Sequence, residues 1–499
     1  MSGTTTVTAA HLYDLVSCPH RVMLDAFGDL TQRDEIGPFV RMLWERGSAY
    51  EASVIEKLAG IEPVLDLSAI PLGEREARTL DAMRDGVALI YQGRLRAGDL
   101  LGSPDLLRKE GAGYVPIDIK SGRGEEGGDE DSDPSPKEHY AVQLGLYVDA
   151  LEQLGFSAGR RAYVWDILGN EVLYDFAVLY GTRNPRTLWS DYQDALSSAR
   201  RILSRIEITR PAYAASCKLC HWYSHCLDVL QKADDLTLIP KLGRSLQTVM
   251  IDQIPTIADL ASANPDAYIT GTRTVFRGLG ADRLRTFHER AKLIKSENPQ
   301  PRLLQPLQLP SRHLEIFFDI EADPMQDICY LHGFLERRGG DNASERFVAF
   351  FADDATREAE EQVFRDAWTY LRANSDAVIF YYSKYERTAY RKLQARYPGA
   401  CTPEEVEALF ARDRSVDLYF DVVEAATMWP TRDHSIKTLA KFLGFSWRDT
   451  DPSGAASIEW YQRWTEQRDP AIKSRILEYN EDDCRATRVL LDAVRRIAS

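Results

Sequence analysis

The sequence predicts an α/β protein with two sheet-containing domains and a helical segment between them. Strand-like runs flank a short Gly-containing turn in residues 100–122, and a second series of buried strand candidates begins at residue 313. Helical stretches separated by Gly-containing turns fill much of the region between them. A chain of 499 residues has room for two or three cores. We therefore expect domains at residues 1–230, 231–305 and 306–499.

Composition and charge limit the class of protein. No apolar run approaches the ~18 residues of a membrane span, and the N-terminal residues lack a basic region followed by an apolar core, so we expect a cytoplasmic protein with no membrane partner. The formal net charge of -15 is unevenly spread. Residues 123–139 carry seven acids and two bases, whereas residues 236–296 carry nine bases and five acids. The acidic total therefore does not exclude a nucleic-acid partner.

Four of the seven cysteines form a pattern of one plus three, with C-x2-C-x5-C as the triplet. They are Cys18, Cys217, Cys220 and Cys226. Thiolates bind soft metals, and a triplet with one distant cysteine favours a 4Fe-4S cluster over zinc, which usually shows two short pairs. Two alternatives stay open: His221 or His225 replaces a thiol, which would favour zinc, or Cys18 is a buried residue outside the site.

The first strand pair brings chemistry-bearing residues together. LLGSPDLLRKE and YVPIDIKSG are predicted to form a hairpin carrying Asp105, Asp118 and Lys120. Asp118 and Lys120 are two positions apart and so share a face of the strand. Two carboxylates and a lysine on one face suit metal-assisted phosphodiester hydrolysis with Mg²⁺ or Mn²⁺. The alternative is an exposed hairpin with an ordinary ion pair.

Two predicted helices flank this hairpin. One, KEHYAVQLGLYVDALEQLG, places Gln143 and Tyr147 four residues apart on one face. The other, WERGSAYEASVIEKL, carries Tyr50 and Glu51.

GSPD, IDIK and QLGLY in this order, bracketed by the cysteines, resemble the PD-(D/E)XK nucleases of the RecB-like branch. The resemblance is to the iron–sulfur forms in CRISPR-associated and AddB-type nucleases, and it covers residues 8–226. It implies a restriction-endonuclease-like fold in which Asp105 and Asp118 bind the metal and Lys120 is catalytic. It also implies that the helix of Gln143 and Tyr147 helps to bind DNA, and that the cluster is structural.

The first helix departs from this family pattern. Many relatives carry a metal-binding His there, whereas this sequence places Tyr50 at the position. Either Glu51 substitutes for the histidine or that metal position is weakened.

The middle segment carries two Gly-containing turns before helical stretches. LIPKLGRSLQTVMIDQIPTIADLA contains Gly243, and FRGLGADRLRTFHERAKLI contains Gly278 and Gly280. This pattern is typical of helix-hairpin-helix units, whose turns let backbone N–H groups approach a DNA phosphate. Lys241 departs from the glycine usual at its position. The alternative is a plain helical linker with glycine C-caps.

A second set of acids lies in residues 313–499. HLEIFFDIEADP is predicted to be a buried strand with Asp319 and Glu321 on one face, and a late helix carries Tyr479 and Asp483 four residues apart. Convergent acids of this kind suit two-metal phosphoryl transfer. Ser435, at the start of another helix, is expected to be its N-cap.

DIEA, YSKYE, HSIKTLAKFLGF and YNEDD resemble the RNase H-like DEDD exonucleases, nearest to the YprB-like group, over residues 313–497. The resemblance implies Asp319, Glu321 and Asp483 as metal ligands. It implies that Tyr479 orients or activates the attacking water. Glu386 stands where the second motif normally offers Asp. The alternative for this region is a nucleotide-binding or scaffold domain with decayed chemistry.

These features lead us to expect a metal-dependent DNA exonuclease with two sites and a structural cluster, acting in repair, recombination or defence. The chain has no G-x4-GK[ST] loop, so duplex unwinding would need a helicase partner. The alternatives are a non-catalytic nucleic-acid adaptor and an RNA-processing exonuclease.

Overall fold

The computed structural model of the chain describes residues 6–127, 133–181, 184–450 and 452–498. The chain divides into two compact units, the first of Met1–Pro211 and Ser216–His225 and the second of Ala212–Ala215 and Cys226–Ser499. The middle of the acid-rich run at residues 123–139 lies outside the described residues. The segment predicted at 231–305 groups with the C-terminal unit.

The first unit combines a six-stranded sheet, a three-stranded sheet and several helices. The helices are α1 (Ala9–Ser17), α2 (Pro19–Phe27), α3 (Pro38–Ala59), α4 (Leu72–Arg84), α5 (Glu138–Leu154) and α6 (Leu188–Leu203), and α7 (Tyr223–Lys232) crosses the division between the units. The strands are β1 (Val7–Thr8), β2 (Val64–Asp66), β3 (Leu89–Tyr91), β4 (Leu95–Ala97), β5 (Leu100–Gly102), β6 (Leu106–Glu110), β7 (Gly113–Ile119), β8 (Glu125–Glu126), β9 (Ser135–Pro136), β10 (Arg161–Trp165), β11 (Glu171–Asp175), β12 (Leu179–Tyr180) and β13 (Arg186–Thr187).

The larger sheet has the strand order β11-β10-β7-β6-β3-β2. Strands β6 and β7 pair antiparallel, which confirms the predicted hairpin, and β7 is buried along its whole length. Helix α5 packs on β7 and against α1 and α6. A Cβ atom at Gly145 would lie 2.7 Å from the side chain of Tyr192, so the glycine lets α5 approach α6 closely. This packing fixes α5 beside the end of β7.

The second unit contains a five-stranded sheet covered by helices. Its helices are α8 (Gly243–Met250), α9 (Ile257–Ser262), α10 (Ala281–Ile294), α11 (Arg357–Ala373), α12 (Tyr385–Arg396), α13 (Pro403–Leu409), α14 (Ile436–Phe442), α15 (Gly454–Gln467) and α16 (Pro470–Ala498), with a π-helix at Leu418–Glu424. Its strands are β14 (Ile269–Thr270), β15 (Arg273–Thr274), β16 (Arg302–Leu303), β17 (Leu314–Asp323), β18 (Ile328–Arg338), β19 (Asp341–Phe351), β20 (Val378–Tyr381), β21 (Ser415–Asp417) and β22 (Thr427–Met428).

The five-stranded sheet has the order β19-β18-β17-β20-β21. Strands β17, β18 and β19 form an antiparallel meander, and β17, β20 and β21 run parallel. Helices α15 and α16 pack against β17, and α11 packs against β18. This cover explains why β17 is largely buried on both faces although one face carries acids, and it confirms the buried strand predicted at residue 313. Ser435 caps α14 by accepting a hydrogen bond from the backbone N–H of Thr438, as predicted.

The middle segment has a small core of its own within the second unit. Leu236, Leu246, Phe276 and Phe287 belong to it, so side chains that precede or lie in α8 pack with side chains that precede or lie in α10. None of the helices in the described ranges is both long and apolar enough to cross a membrane.

Candidate active sites

The first candidate site is built where β6 begins and β7 ends. Asp105 immediately precedes β6, and its Oδ2 accepts a 2.7 Å hydrogen bond from the backbone N–H of Ile119. Asp118 is 1 % exposed, and among the described residues its Oδ1 has no hydrogen-bond partner. Burial and the neighbouring Asp118 raise the pKa of Asp105 well above its ordinary value. An acid pair with an orphaned buried oxygen fits a hard divalent cation such as Mg²⁺ or Mn²⁺.

Lys120 neutralises part of this charge. Its Nζ lies 2.9 Å from Oδ2 of Asp118. Burial alone would lower the pKa of Lys120, but the carboxylates of Asp118 and Asp105 outweigh it and hold that pKa above its ordinary value. The lysine is therefore protonated at neutral pH and can act as a fixed positive charge rather than as a base.

Helix α5 supports the lysine through a chain of hydrogen bonds. Lys120 donates to Oε1 of Gln143 at 3.4 Å, and Nε2 of Gln143 donates to the hydroxyl of Tyr147 at 3.1 Å. Tyr147 is 2 % exposed, and its hydroxyl donates to the backbone carbonyl of Ser103. Glycine is needed at position 102, because a Cβ atom there would lie 2.4 Å from the Tyr147 ring. Tyr147 is therefore buried within the domain, where its hydroxyl contacts the backbone. Gln143, by contrast, is half-buried and lies beside the acids.

Helix α3 corresponds to the helix in which many related nucleases carry a metal-binding His. Its residues Tyr50 and Glu51 have different surroundings. The Tyr50 hydroxyl donates to the backbone carbonyl of Asp166. Glu51 accepts a 2.6 Å hydrogen bond from Gln92, and its charge helps to raise the pKa of Asp105. Glu51, rather than Tyr50, is therefore the residue of α3 near the acid pair.

The cysteines of the first unit share one neighbourhood. Burial raises the pKa of Cys220, and the nearby thiols of Cys18 and Cys217 add to the shift. All three are half-buried, as is Cys226 on α7. His221 is held by Asp25, which accepts hydrogen bonds from its Nε2 at 2.7 Å and from the indole of Trp222 at 2.9 Å. The donors present near Cys220 are soft sulfurs, which suit an iron–sulfur cluster or zinc.

The second candidate site is formed by acids from β17 and α16. One ligand oxygen each from Asp319, Glu321 and Asp483 lies within 4.8 Å of the others, and in the described part of the chain this is the one set of three acid, His or Cys ligands that meets this limit. The alternation of β17 puts Asp319 and Glu321 on one face, and α16 supplies Asp483. The three acids, predicted from the two separate motifs DIEA and YNEDD, are therefore brought together.

Glu386, at the start of α12, belongs to the same electrostatic cluster. It is 3 % exposed, and its Oε2 has no hydrogen-bond partner among the described residues. Burial raises the pKa of Glu386 well above its ordinary value, with Asp417 and Glu321 adding to the effect. An orphaned carboxylate oxygen next to a trio of acids fits a second position for a cation.

Burial raises the pKa of every acid in this cluster, and repulsion between the acids adds to the shift at Asp319, Glu321 and Glu386. The pKa of Glu321 rises to about 8, because the side chain is buried and lies close to Asp483. Burial, Asp483 and Glu321 raise the pKa of Asp319, and burial raises that of Asp483. The charge of Lys437 opposes the shift at all three acids. A bound divalent cation would relieve the same repulsion.

Several neutral donors hold the acids. The indole of Trp447 donates to Oδ1 of Asp483 at 2.7 Å, and Ser457 hydrogen-bonds Glu321. Tyr479 hydrogen-bonds Asp483 and accepts a 2.6 Å hydrogen bond from Nζ of Lys437. No motif in the sequence singles out Trp447 or Ser457. Lys437 lies in the HSIK run, but its contact with Tyr479 depends on how α14 packs against α16.

The two turns of the middle segment have related backbones. Lys241 has a φ of +66° and Gly278 a φ of +81°, so the lysine keeps the left-handed conformation that favours glycine. Two residues further on, Gly243 begins α8 and Gly280 is the N-cap of α10. The two turns therefore share a residue with positive φ followed, two positions later, by the start of a helix.

The first and second turns have different surroundings. Lys241 forms an ion pair with Glu424, which also accepts a 2.9 Å hydrogen bond from His434. Near the second turn, Arg273 and Arg277 are exposed, as are Gly278 and Gly280. The second turn therefore offers the more open basic surface.

Acid clusters at the ends of two separate sheets, each beside a lysine, define a class of protein: hydrolases of phosphodiester bonds that use divalent cations. Comparison with models of protein families identifies both parts. Residues 20–227 match the PD-(D/E)XK nuclease superfamily, and residues 316–495 match the RNase H superfamily. The chain therefore carries a PD-(D/E)XK nuclease domain followed by an RNase H superfamily domain, and these domains support a metal-dependent nuclease. A search of curated proteins finds no match.

Proposed function

We propose that the chain is a metal-dependent DNA exonuclease with two hydrolytic sites, one in each superfamily domain. The observation that carries the proposal is the convergence of Asp319, Glu321 and Asp483 within 4.8 Å. Glu321 and Asp483 are buried, Asp319 is half-buried, and all three pKa values are raised. Three acids held this way repel one another, and a bound divalent cation would offset that repulsion.

At the second site, Mg²⁺ or Mn²⁺ would polarise the scissile phosphate and make bound water a better nucleophile. Asp319, Glu321, Asp483 and Glu386 would supply the oxygen ligands. Tyr479 would orient the attacking water through its hydroxyl, as the DEDD resemblance implies. Lys437 holds that hydroxyl by a 2.6 Å hydrogen bond, which limits the positions it can take.

At the first site, Asp105, Asp118 and Glu51 would hold the cation. Lys120, protonated and 2.9 Å from Asp118, would stabilise the negative charge that builds on the phosphate during hydrolysis. Gln143 fixes the lysine and would contact the DNA backbone next to it. The first-site assignment rests on the orphaned Asp118 oxygen, which a metal would satisfy.

Four thiols would form a structural 4Fe-4S cluster in this proposal. Supporting observations are the shared neighbourhood of Cys18, Cys217 and Cys220 and the attachment of His221 to Asp25, which engages one of its ring nitrogens. Cys226 would be the fourth ligand. Zinc is the alternative metal, and iron and zinc analysis of anaerobically purified protein distinguishes the two.

The middle segment would hold the DNA backbone through its second turn. Replacing Arg273 and Arg277 together by Ala should weaken DNA binding and reduce the dependence of binding on salt by about one to two ions, since each phosphate contact releases roughly one counterion. Lys292→Ala, in the last turn of α10, is the matched control. An unchanged salt dependence in the double variant would remove the second turn from the DNA-binding surface. A helicase partner would supply single strands from duplex DNA.

The main test is degradation of end-labelled and internally labelled DNA and RNA with Mg²⁺ or Mn²⁺. We expect the wild type to release short products from DNA ends, with separate partial losses in Lys120→Ala and Asp319→Ala and complete loss in the double variant. If neither substitution lowers activity, the two-site proposal is wrong. Activity on RNA alone would make the chain an RNA-processing enzyme, and a wild type inert on both polymers but able to bind them would make it an adaptor.

A further inference from the structure

Asn480, next to Tyr479 on α16, lies against the acids of the second site. Its side-chain nitrogen donates a 2.6 Å hydrogen bond to Oδ2 of Asp319. The same side chain hydrogen-bonds Glu321. Asn480 is 0 % exposed, so no bulk water competes for these hydrogen bonds. An amide nitrogen carries two hydrogens, which matches one donation to each carboxylate.

A glycine on the neighbouring strand makes room for this amide. Gly333 on β18 lies directly opposite Asp319 on β17. Side chains in opposite positions of antiparallel strands stand about 5 Å apart, so any residue other than glycine would place its side chain beside Asp319. A Cβ atom at position 333 would lie 1.6 Å from Oδ1 of Asn480. The space over Gly333 is therefore occupied by Asn480.

We infer that Asn480 is a positioning residue that sets the separation of the Asp319 and Glu321 carboxylates for a divalent cation, and that Gly333 is required because it leaves space for that amide. The inference rests on the proposed metal site of the second domain. A neutral donor suits this task because it orients both carboxylates without cancelling the negative charge that attracts the cation. A lysine in the same place would compete with the metal.

Binding of Mn²⁺ alone, followed by electron paramagnetic resonance, tests the inference in the full-length protein. Asp118→Asn is included throughout to weaken the first site. We expect Asn480→Ala to raise the Mn²⁺ dissociation constant of the second site by about 10-fold or more, as is usual when a partner of a metal ligand is removed. Asn480→Asp keeps the size of the side chain but removes the N–H donor. Its Mn²⁺ resonance spectrum should therefore differ from that of the wild-type site.

A double-mutant cycle tests the role of Gly333. Gly333→Ala should weaken Mn²⁺ binding in the presence of Asn480 but change it less than about 2-fold in Asn480→Ala, because the two substitutions act on one contact. Gly454→Ala is the matched control, since a Cβ atom there meets nothing within 4 Å. Thermal denaturation shows whether each variant is folded. The double-mutant cycle uses only Gly333→Ala and Asn480→Ala, so its result does not depend on whether Asn480→Asp folds.

The outcomes separate this inference from the proposed function. If Asp319→Asn leaves Mn²⁺ binding unchanged, the second site itself is wrong. If Asp319→Asn abolishes binding but Asn480→Ala binds Mn²⁺ as the wild type does, the site stands and the positioning role is overturned. Independent effects of Gly333→Ala and Asn480→Ala, multiplying in the double variant, would overturn the role assigned to Gly333.

Discussion

Lys437 donates a 2.6 Å hydrogen bond from its ammonium group to the phenolic oxygen of Tyr479. Tyr479 also hydrogen-bonds Asp483, so the phenol accepts from the lysine and its own proton is directed toward the carboxylate. The contact joins the start of α14 to the middle of α16. It fixes the hydroxyl to which the proposed mechanism assigns the orientation of water.

Lys437→Ala should lower kcat of the second site by about 10- to 100-fold, the equivalent of one hydrogen bond to a charged group, and change KM much less. The measurement is exonuclease kinetics in a Lys120→Ala background, which removes the first site's contribution. Lys437→Arg retains a cationic donor and should recover part of the loss. Lys441→Ala, an exposed position on the same helix, is the control. Equal kcat in Lys437→Ala and the parent would contradict the role of this contact.

Glu51→Gln should weaken Mn²⁺ binding at the first site by at least about 10-fold, since even partners of metal ligands have effects of that size. Its neighbour provides the control: Tyr50→Phe removes a hydroxyl that donates to the carbonyl of Asp166, away from the acids. Mn²⁺ titration in an Asp319→Asn background reports the first site. A stronger effect of Tyr50→Phe than of Glu51→Gln would contradict the assignment of Glu51 as the ligand from α3.

The contrast between Tyr50 and Glu51 shows which features of the site the sequence alone could not predict. Strand alternation predicted that Asp319 and Glu321 share a face, because the period of two leaves no other arrangement. Successive helix positions differ by about 100°, so the sequence could not tell whether Tyr50 or Glu51 faces the acids. That orientation depends on how α3 packs on the first sheet.

The donors around the second site were harder to predict. Tyr479 and Asp483 are four residues apart on one helix, and this spacing predicted that they share a face. Trp447 comes from the segment between α14 and α15, and Ser457 comes from α15 itself. Neither has a period or motif that ties it to Asp483 or Glu321. The roles of Trp447 and Ser457 depend on tertiary packing, which no local sequence pattern predicts.

The metal-free protein should lose stability as pH rises. Burial raises the pKa of Glu321 from 4.5 to about 8 in the folded chain, so its contribution is fully present below about pH 4.5 and is lost as pH rises through about 8. Thermal denaturation in a chelator should show this decline, and Glu321→Gln should show a shallower one. Added Mn²⁺ should stabilise the wild type increasingly with pH, because the cation binds the deprotonated acids. Parallel pH profiles for wild type and Glu321→Gln would contradict the assignment.

The variant Cys18→Ser should show whether the thiol of Cys18 binds a metal or is only part of the structure. Cys18 is both the C-cap of α1 and the N-cap of α2. Serine is a favourable N-cap, so the substitution should be neutral or stabilising if the thiol binds no metal. If Cys18 is a cluster ligand, the purified variant should lose iron or zinc, and amide exchange should accelerate in the first unit. Exonuclease activity of the second site should stay within about 2-fold, because the RNase H superfamily domain has its own core. Cys401→Ser, a buried position in the second unit, is the control for thiol loss. Full metal content in Cys18→Ser would show that the triplet binds without it.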